Sequence, residues 1–312
     1  VKRILVIAVV AAALASGCAK DASSDRIQTV EPATAAVSPA TAVVPAGTVE
    51  PTATQATKLV FCTKTGQLVT LAGGTVVFGK ATISGVTALF SANPGEIFVA
   101  TGDRVERYDL AAEKRVATYP ADGPALSAAV LSNGRVAVGT ANGRVLVFDG
   151  DRVVARIGGF ASVDALAAVG NSLLALDVRQ SMLVEVNVDS QSHGLALRTG
   201  QGAAQLATDH WGRVLVTDPR TRELTVYSAN PLMMRQRIPT GSAPYAVTYD
   251  DVHEIAWVTL TETNEVVGYD LSTGTAREVH RYPTVRQPNA IAVDPKTGEL
   301  FVAGEGLQRI PA

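Results

Sequence analysis

Short apolar runs alternate with clusters of glycine, aspartate, asparagine and proline along most of the chain beyond residue 58. Runs of this length, bounded by turn-forming residues, predict β-strands, and no stretch of useful length carries the helical period. One anchor can be followed through every copy of the pattern: an apolar residue, two intervening positions, then a large apolar residue usually followed by aspartate or asparagine. The large residues are Leu71, Tyr108, Phe148, Val186, Tyr227, Tyr269 and Ile310. They recur roughly every 37 to 42 residues, the size of one four-stranded propeller blade. Seven anchors predict an all-β, seven-bladed β-propeller.

Each anchor is preceded by a strand of its own, at 59–63, 97–101, 136–140, 173–177, 214–218, 255–259 and 300–303. The sequence stops at Ala312, directly after the seventh anchor, so blade 7 is expected to lack an outer strand from its own repeat. Upstream, Val43-Val44-Pro45-Ala46-Gly47 followed by Pro51 parallels Arg237-Ile238-Pro239-Thr240-Gly241 followed by Pro244. An N-terminal strand at about 41–46 is therefore expected to complete the last blade and close the ring. Closure removes a strand edge that would otherwise invite aggregation.

The clearest unit runs through Ile238-Pro239-Thr240-Gly241-Ser242-Ala243-Pro244-Tyr245-Ala246-Val247, Trp257-Val258-Thr259 and Tyr269-Asp270-Leu271-Ser272-Thr273-Gly274. It resembles the YVTN-type repeat of the YVTN/NHL-like group, found in bacterial surface and periplasmic propellers. The likeness is clear in blades 5 to 7, moderate in blades 2 to 4 and faint in blade 1. The units lack the Gly-His and Trp-Asp signatures of WD40 repeats.

The N-terminus reads as a targeting segment. Lys2-Arg3 precede an apolar run at 4–14, and about eleven residues is too short for a bilayer span of about twenty. The run ends in Ala15-Ser16-Gly17-Cys18, which resembles the lipobox of bacterial lipoproteins, although Ala15 stands where that motif prefers leucine. The resemblance implies a signal peptide over 1–18 and acylation, palmitate included, on Cys18. Such a protein is anchored to the extracytoplasmic side of the cell membrane without crossing it. The competing reading is an ordinary secretory signal with an incidental cysteine. Residues 19–40 are rich in alanine, proline, threonine and serine and are expected to form a disordered tether, leaving 41–312 as the propeller. Together these features resemble an actinobacterial, mycobacterial-like cell-envelope lipoprotein. Cys62, the other cysteine, lies in an apolar strand pattern and is expected to be a buried thiol outside any disulfide.

Apolar residues make up 47% of the chain and charged ones 18%, which excludes a disordered chain. A formal net charge of −2 argues against a nucleic-acid partner, whose phosphates would be met by lysine and arginine. Catalytic signatures are missing. His253-Glu254 starts like a zinc-protease motif, but Trp257 stands where the second histidine belongs. Gly304-Glu305-Gly306 lacks the third glycine of a dinucleotide loop. His193 and His280 fall in outer strands, and His210 and His253 in turns between first and second strands. No metal or cofactor is expected.

Propellers commonly bind ligands at one channel mouth. The repeat places Asp177, Arg179, Asp218, Arg220, Glu262 and Asn264 between second and third strands at that mouth. Asp164, Gln205, Tyr245 and Asn289 fall where the chain leads into innermost strands. A repeated Asp-x-Arg in blades 4 and 5 can form a polar rim for a charged ligand or peptide. The competing reading is that these residues cap their own turns and keep them solvated. The expected function is a non-enzymatic binding or scaffolding module for a protein, peptide or small molecule. The alternatives are a lactonase-like propeller hydrolase or lyase with a channel-mouth active site, and a structural subunit of an assembly.

Overall fold

The computed structural model describes residues 29–39, 45–51 and 56–311. Among the described residues there are 28 strands and no helix, hence none long and apolar enough to cross a membrane. The strands form seven four-stranded antiparallel sheets. Blades 1 to 6 occupy residues 56–84, 88–120, 125–157, 165–198, 206–239 and 244–283, and blade 7 combines 290–310 with an N-terminal strand. The innermost strand of each blade packs against that of the next, and that of blade 7 against that of blade 1. The protein is a seven-bladed β-propeller.

Residue chemistry follows distance from the channel. Second strands such as Val136–Thr140 are buried throughout, whereas the outer strand Ser192–Arg198 is almost wholly exposed. Seven apolar cores fill the seven gaps between neighbouring blades, the gap between blades 7 and 1 included. Tyr227, Phe98 and Phe148 are among the largest fully buried side chains, and such burial is worth about 1.5–3 kcal/mol for a large apolar side chain. In blades 2, 3, 5 and 6 the pairing of third and outer strands shifts register immediately before the anchor residue, at Tyr108, Phe148, Tyr227 and Tyr269. In blade 4 the shift lies immediately before Val186. The anchor thus stands opposite a β-bulge whose extra residue lies on the outer strand, at Val116, Val154, Arg235 and Val279 in blades 2, 3, 5 and 6. The twist that a bulge adds falls where the large side chain enters the interblade core.

Blade 1 departs from the expected frame. Its anchor Leu71 sits on the second strand, Gln67–Ala72, and the run expected at 59–63 overlaps the innermost strand, Ala56–Cys62. Phe78 on the third strand, Thr75–Phe78, takes the anchor's place and meets Tyr108 edge-on at 5.5 Å. The cause is a two-residue turn at Gly73 and Gly74, with φ of 55° and 70°. Such a turn needs positive φ at both positions and shortens the hairpin, so the blade is compressed and the pattern slips by one strand.

The ring closes through an N-terminal strand, as expected, but that strand is Thr48–Pro51 and not 41–46. It pairs antiparallel with Gly306–Ile310, in register from Thr48↔Arg309 to Pro51↔Gly306. Residues 41–44 lie outside the described residues, and Pro45 and Ala46 precede the strand. Gly47 explains the offset: its φ is 69°, and a Cβ there would lie 2.1 Å from the Arg309 carbonyl oxygen. The chain turns at this glycine before pairing begins.

Gln308 ties the seam together from a fully buried position. Its Nε2 donates to the carbonyls of Ala46 at 2.6 Å and Pro283 at 3.0 Å, and its Oε1 accepts from Val285 N at 2.8 Å. Gln308→Ala is expected to lower stability by about 2–4 kcal/mol, because a main-chain group left unsatisfied in the interior costs about 1–3 kcal/mol. Urea unfolding checks this, and a loss below about 1 kcal/mol contradicts the seam's importance.

Candidate functional site

Strand direction alternates within each blade, so the loops joining second to third strands share one face with the crossovers leading into innermost strands. All ten sequence-predicted mouth residues lie on this face, but they do not converge on a single point.

Asp218 ends the second strand of blade 5 and is fully buried. Its Oδ2 accepts from Gln201 N at 2.5 Å and Gly202 N at 2.9 Å, and its Oδ1 from Arg220 N and Thr221 N, both at 2.9 Å. Asp177 repeats the device in blade 4, taking Ala161 N at 2.6 Å and Gln180 N at 2.9 Å. Glu262 does so in blade 6, accepting from Ala243 N at 3.3 Å and pairing with Arg222 at 3.0 Å. Each carboxylate pins a loop between second and third strands to its neighbouring crossover, Asp177 and Asp218 mainly through main-chain donors and Glu262 through Ala243 N together with the Ser242 hydroxyl and Arg222. Arg179 and Arg220 of the same motifs are exposed at the rim.

Asp164 belongs with this blade-4 group. Its Oδ2 accepts from the Ser162 hydroxyl at 2.5 Å and Val178 N at 3.1 Å. Burial pushes its carboxyl above the usual carboxylate range, Asp177 adds to the rise, and the hydrogen bonds and Arg179 oppose it.

A second group gathers across the channel. Gln205 Nε2 donates to the Asn289 carbonyl at 3.4 Å, linking the lead-in of blade 5 to that of blade 7. Asn264 is buried with φ of 54°, and its Oδ1 accepts from Gln287 N at 3.0 Å. Gln287 Nε2 donates to Asn289 Oδ1 at 3.3 Å. Tyr245 is half-buried, its phenol pKa raised by burial, and its carbonyl accepts from Thr217 Oγ1 at 2.7 Å.

Sequence reasoning missed Gln287 and Arg286, which stand in a crossover outside the repeated Asp-x-Arg motif. It also missed Lys58 on the innermost strand of blade 1, a half-buried lysine whose ammonium pKa is lowered by burial. The largest omission is residues 29–39. They fall in the stretch expected to be disordered tether, yet they lie on this face, bonded from Arg179 in blade 4 to Arg286 in blade 7. Cys18, the expected lipidation residue, lies outside the described residues.

The histidines sit where the repeat places them. His193 and His280 are on outer strands, and His280 stacks on Trp257 at 5.5 Å. His210 and His253 lie in turns on the opposite face, paired with Asp251 at 3.0 Å and Asp250 at 2.7 Å. Among the described residues no group of three or more His, Cys, Asp or Glu is arranged to hold a metal ion. A groove of about 660 Å³ also opens on the opposite face, between blades 3 and 4, lined by polar residues including Asn133, Asn171 and Asp189. Cys62 is a buried thiol, and burial pushes its pKa up to about 11.

No protein-family model matches the chain, and no curated protein matches it. Solved structures do. A chain of the hydrazine synthase of Kuenenia stuttgartiensis has a TM-score of 0.68 at 13% identity, covering 85% of this chain and 98% of that one. A chain of a mitotic checkpoint complex has a TM-score of 0.69 at 13% identity, with 88% and 99% covered. The β-propeller domain of Cps50 (Swd1) from Myceliophteria thermophila has a TM-score of 0.69 at 14% identity, with 85% and 100% covered. At such identities the likeness is one of fold alone.

The raised pKa of Asp164 has a testable sign. A carboxyl that holds its proton more tightly when folded contributes stability below its unfolded pKa, and that contribution is lost as pH rises through the folded value. Asp164→Asn does not titrate, so its stability relative to wild type is expected to be greater at pH 7 than at pH 3. Urea unfolding at both pH values checks this, and an equal difference at the two contradicts it.

Proposed function

We propose that the protein is an exported bacterial lipoprotein, held at the extracytoplasmic side of the cell membrane by acylated Cys18. Its YVTN/NHL-like propeller acts as a non-enzymatic binding or scaffolding module for another polypeptide. The leader and Cys18 motif support the anchor, and together with the repeat they support an actinobacterial, mycobacterial-like source. One observation carries the binding reading: the buried carboxylates Asp177 and Asp218 are held by main-chain donors, while the arginines two residues on are exposed at the rim. A lactonase-like site needs carboxylates or other bases free to reach a substrate. A rim whose carboxylates are spent on its own loops, with guanidinium groups outermost, suits recognition of carbonyl and carboxylate oxygens. That a similar propeller occurs in a mitotic checkpoint complex is in keeping with a protein-binding role.

Two measurements in the cells that make the protein test this. Cys18→Ala is expected to move it from the membrane fraction to the exported, unanchored fraction, and unchanged fractionation contradicts the anchor. A photo-crosslinking residue at position 179 is expected to give a discrete intermolecular adduct with a polypeptide. The absence of any such adduct, both in the full chain and in a variant lacking residues 29–39, contradicts the binding module.

A further inference from the structure

We propose that the mouth of blades 4 to 7 is a groove for an extended peptide of small residues, and that residues 29–39 of this chain occupy it in cis. The inference rests on the binding reading and names the class of ligand and its competitor. The segment, Thr-Val-Glu-Pro-Ala-Thr-Ala-Ala-Val-Ser-Pro, crosses four blades in an unpaired, irregular path. Val30 N donates to the Arg179 carbonyl in blade 4 at 2.6 Å. Arg220 in blade 5 donates to the Glu31 carbonyl at 2.6 Å.

The far end is held most tightly. Gln287 Nε2 donates to the Ala36 carbonyl at 2.8 Å, and Ser38 N donates to Gln287 Oε1 at 2.9 Å. One side-chain amide therefore reads both main-chain groups flanking Val37, as a neighbouring strand would. Val37 itself points away and is 83% exposed. The Ser38 side chain enters a socket, 3% exposed, where its hydroxyl donates to the Thr261 carbonyl at 2.7 Å and accepts from Gln287 N at 3.0 Å. Arg286 closes the end on the carbonyls of Ser38 and Pro39, at 3.2 and 3.3 Å.

Among the described residues these are eight hydrogen bonds, and six of them touch only the segment's main chain. Selection then rests on size at two points. The serine socket admits one small hydroxyl. At Gly202 a Cβ would lie 2.6 Å from Arg220 Cδ and 3.0 Å from Ala33 Cβ, so the glycine leaves room both for the Arg220 side chain and for the segment. Nothing in this recognition requires that the peptide belong to the same chain. Another polypeptide with an extended Ala/Pro/Thr-rich stretch and a correctly placed serine presents the same groups. The cis segment wins by proximity: the short link through residues 40–47 gives it an effective concentration of order millimolar. A partner must displace it.

The test uses the full chain and a fluorescent synthetic peptide of residues 29–39, read by anisotropy. Ser38→Arg cannot enter the socket and is expected to free the groove, so that it binds the peptide at least tenfold more tightly than wild type. Adding Gln287→Ala to that variant is expected to abolish the gain, as is replacing serine by arginine in the peptide. Ala33→Arg, which collides with the rim at Gly202, serves as a second release variant should Ser38→Arg disturb folding. Peptide binding no tighter to either folded variant than to wild type overturns the proposal. If that result accompanies a polypeptide adduct at position 179 in cells, the peptide groove falls while the binding module stands.

Discussion

Everything in this protein hangs on the pairing of Thr48–Pro51 with Gly306–Ile310. Thr48–Pro51 supplies the outer strand of blade 7, and Gln308 fastens that junction to blade 6. Seven interblade cores form a closed series, so each blade is buried on both faces only if the last gap also closes. Leaving the Thr48–Pro51 pairing undone would expose the donors and acceptors of Gly306–Ile310 as an open strand edge. Closure therefore acts on the whole ring at once and joins the seven sheets into a single cooperative unit.

The same constraint organises the mouth. Because residue 48 must sit at the seam between blades 6 and 7, the chain upstream of it is delivered to that seam. Residues 38 and 39 then lie beside Arg286 and Gln287, and the segment runs back over blades 6, 5 and 4. The surface it meets is prepared for it. Asp177 and Asp218 spend their charge on main-chain donors of the loops, and Glu262 on Ala243 N and Arg222, which ties those loops to the crossovers and leaves Arg179 and Arg220 exposed at the rim. A face that offers donors to carbonyls and carbonyls to amides is suited to backbone, which every polypeptide carries.

How much of this the sequence shows depends on which physical signal each part leaves. The blade count was legible because a large apolar residue recurs near the end of one strand in every repeat, and in blades 2, 3, 5 and 6 it stands at a register shift, at Tyr108, Phe148, Tyr227 and Tyr269. Blade 1 slipped because the Gly73-Gly74 turn shortens it, and Leu71 then falls at the expected spacing on the wrong strand. The ten predicted mouth residues share one face because each occupies the same connections in its repeat. Their roles were not legible, since Asp in a short connection looks the same whether it caps its own turn or awaits a ligand. Residues 29–39 left no trace of any kind. Recognition through main-chain groups has no residue signature, and alanine, threonine and proline without periodicity read as tether.

The most direct test of the account is hydrogen–deuterium exchange at the amides of Val30 and Ser38 in the full chain at neutral pH. These two amides donate to the rim, at Arg179 O and Gln287 Oε1. If the segment occupies the mouth, both exchange at least tenfold more slowly than in the isolated peptide, and the protection at Ser38 disappears in Gln287→Ala. Exchange of both at the rate of the free peptide would contradict it.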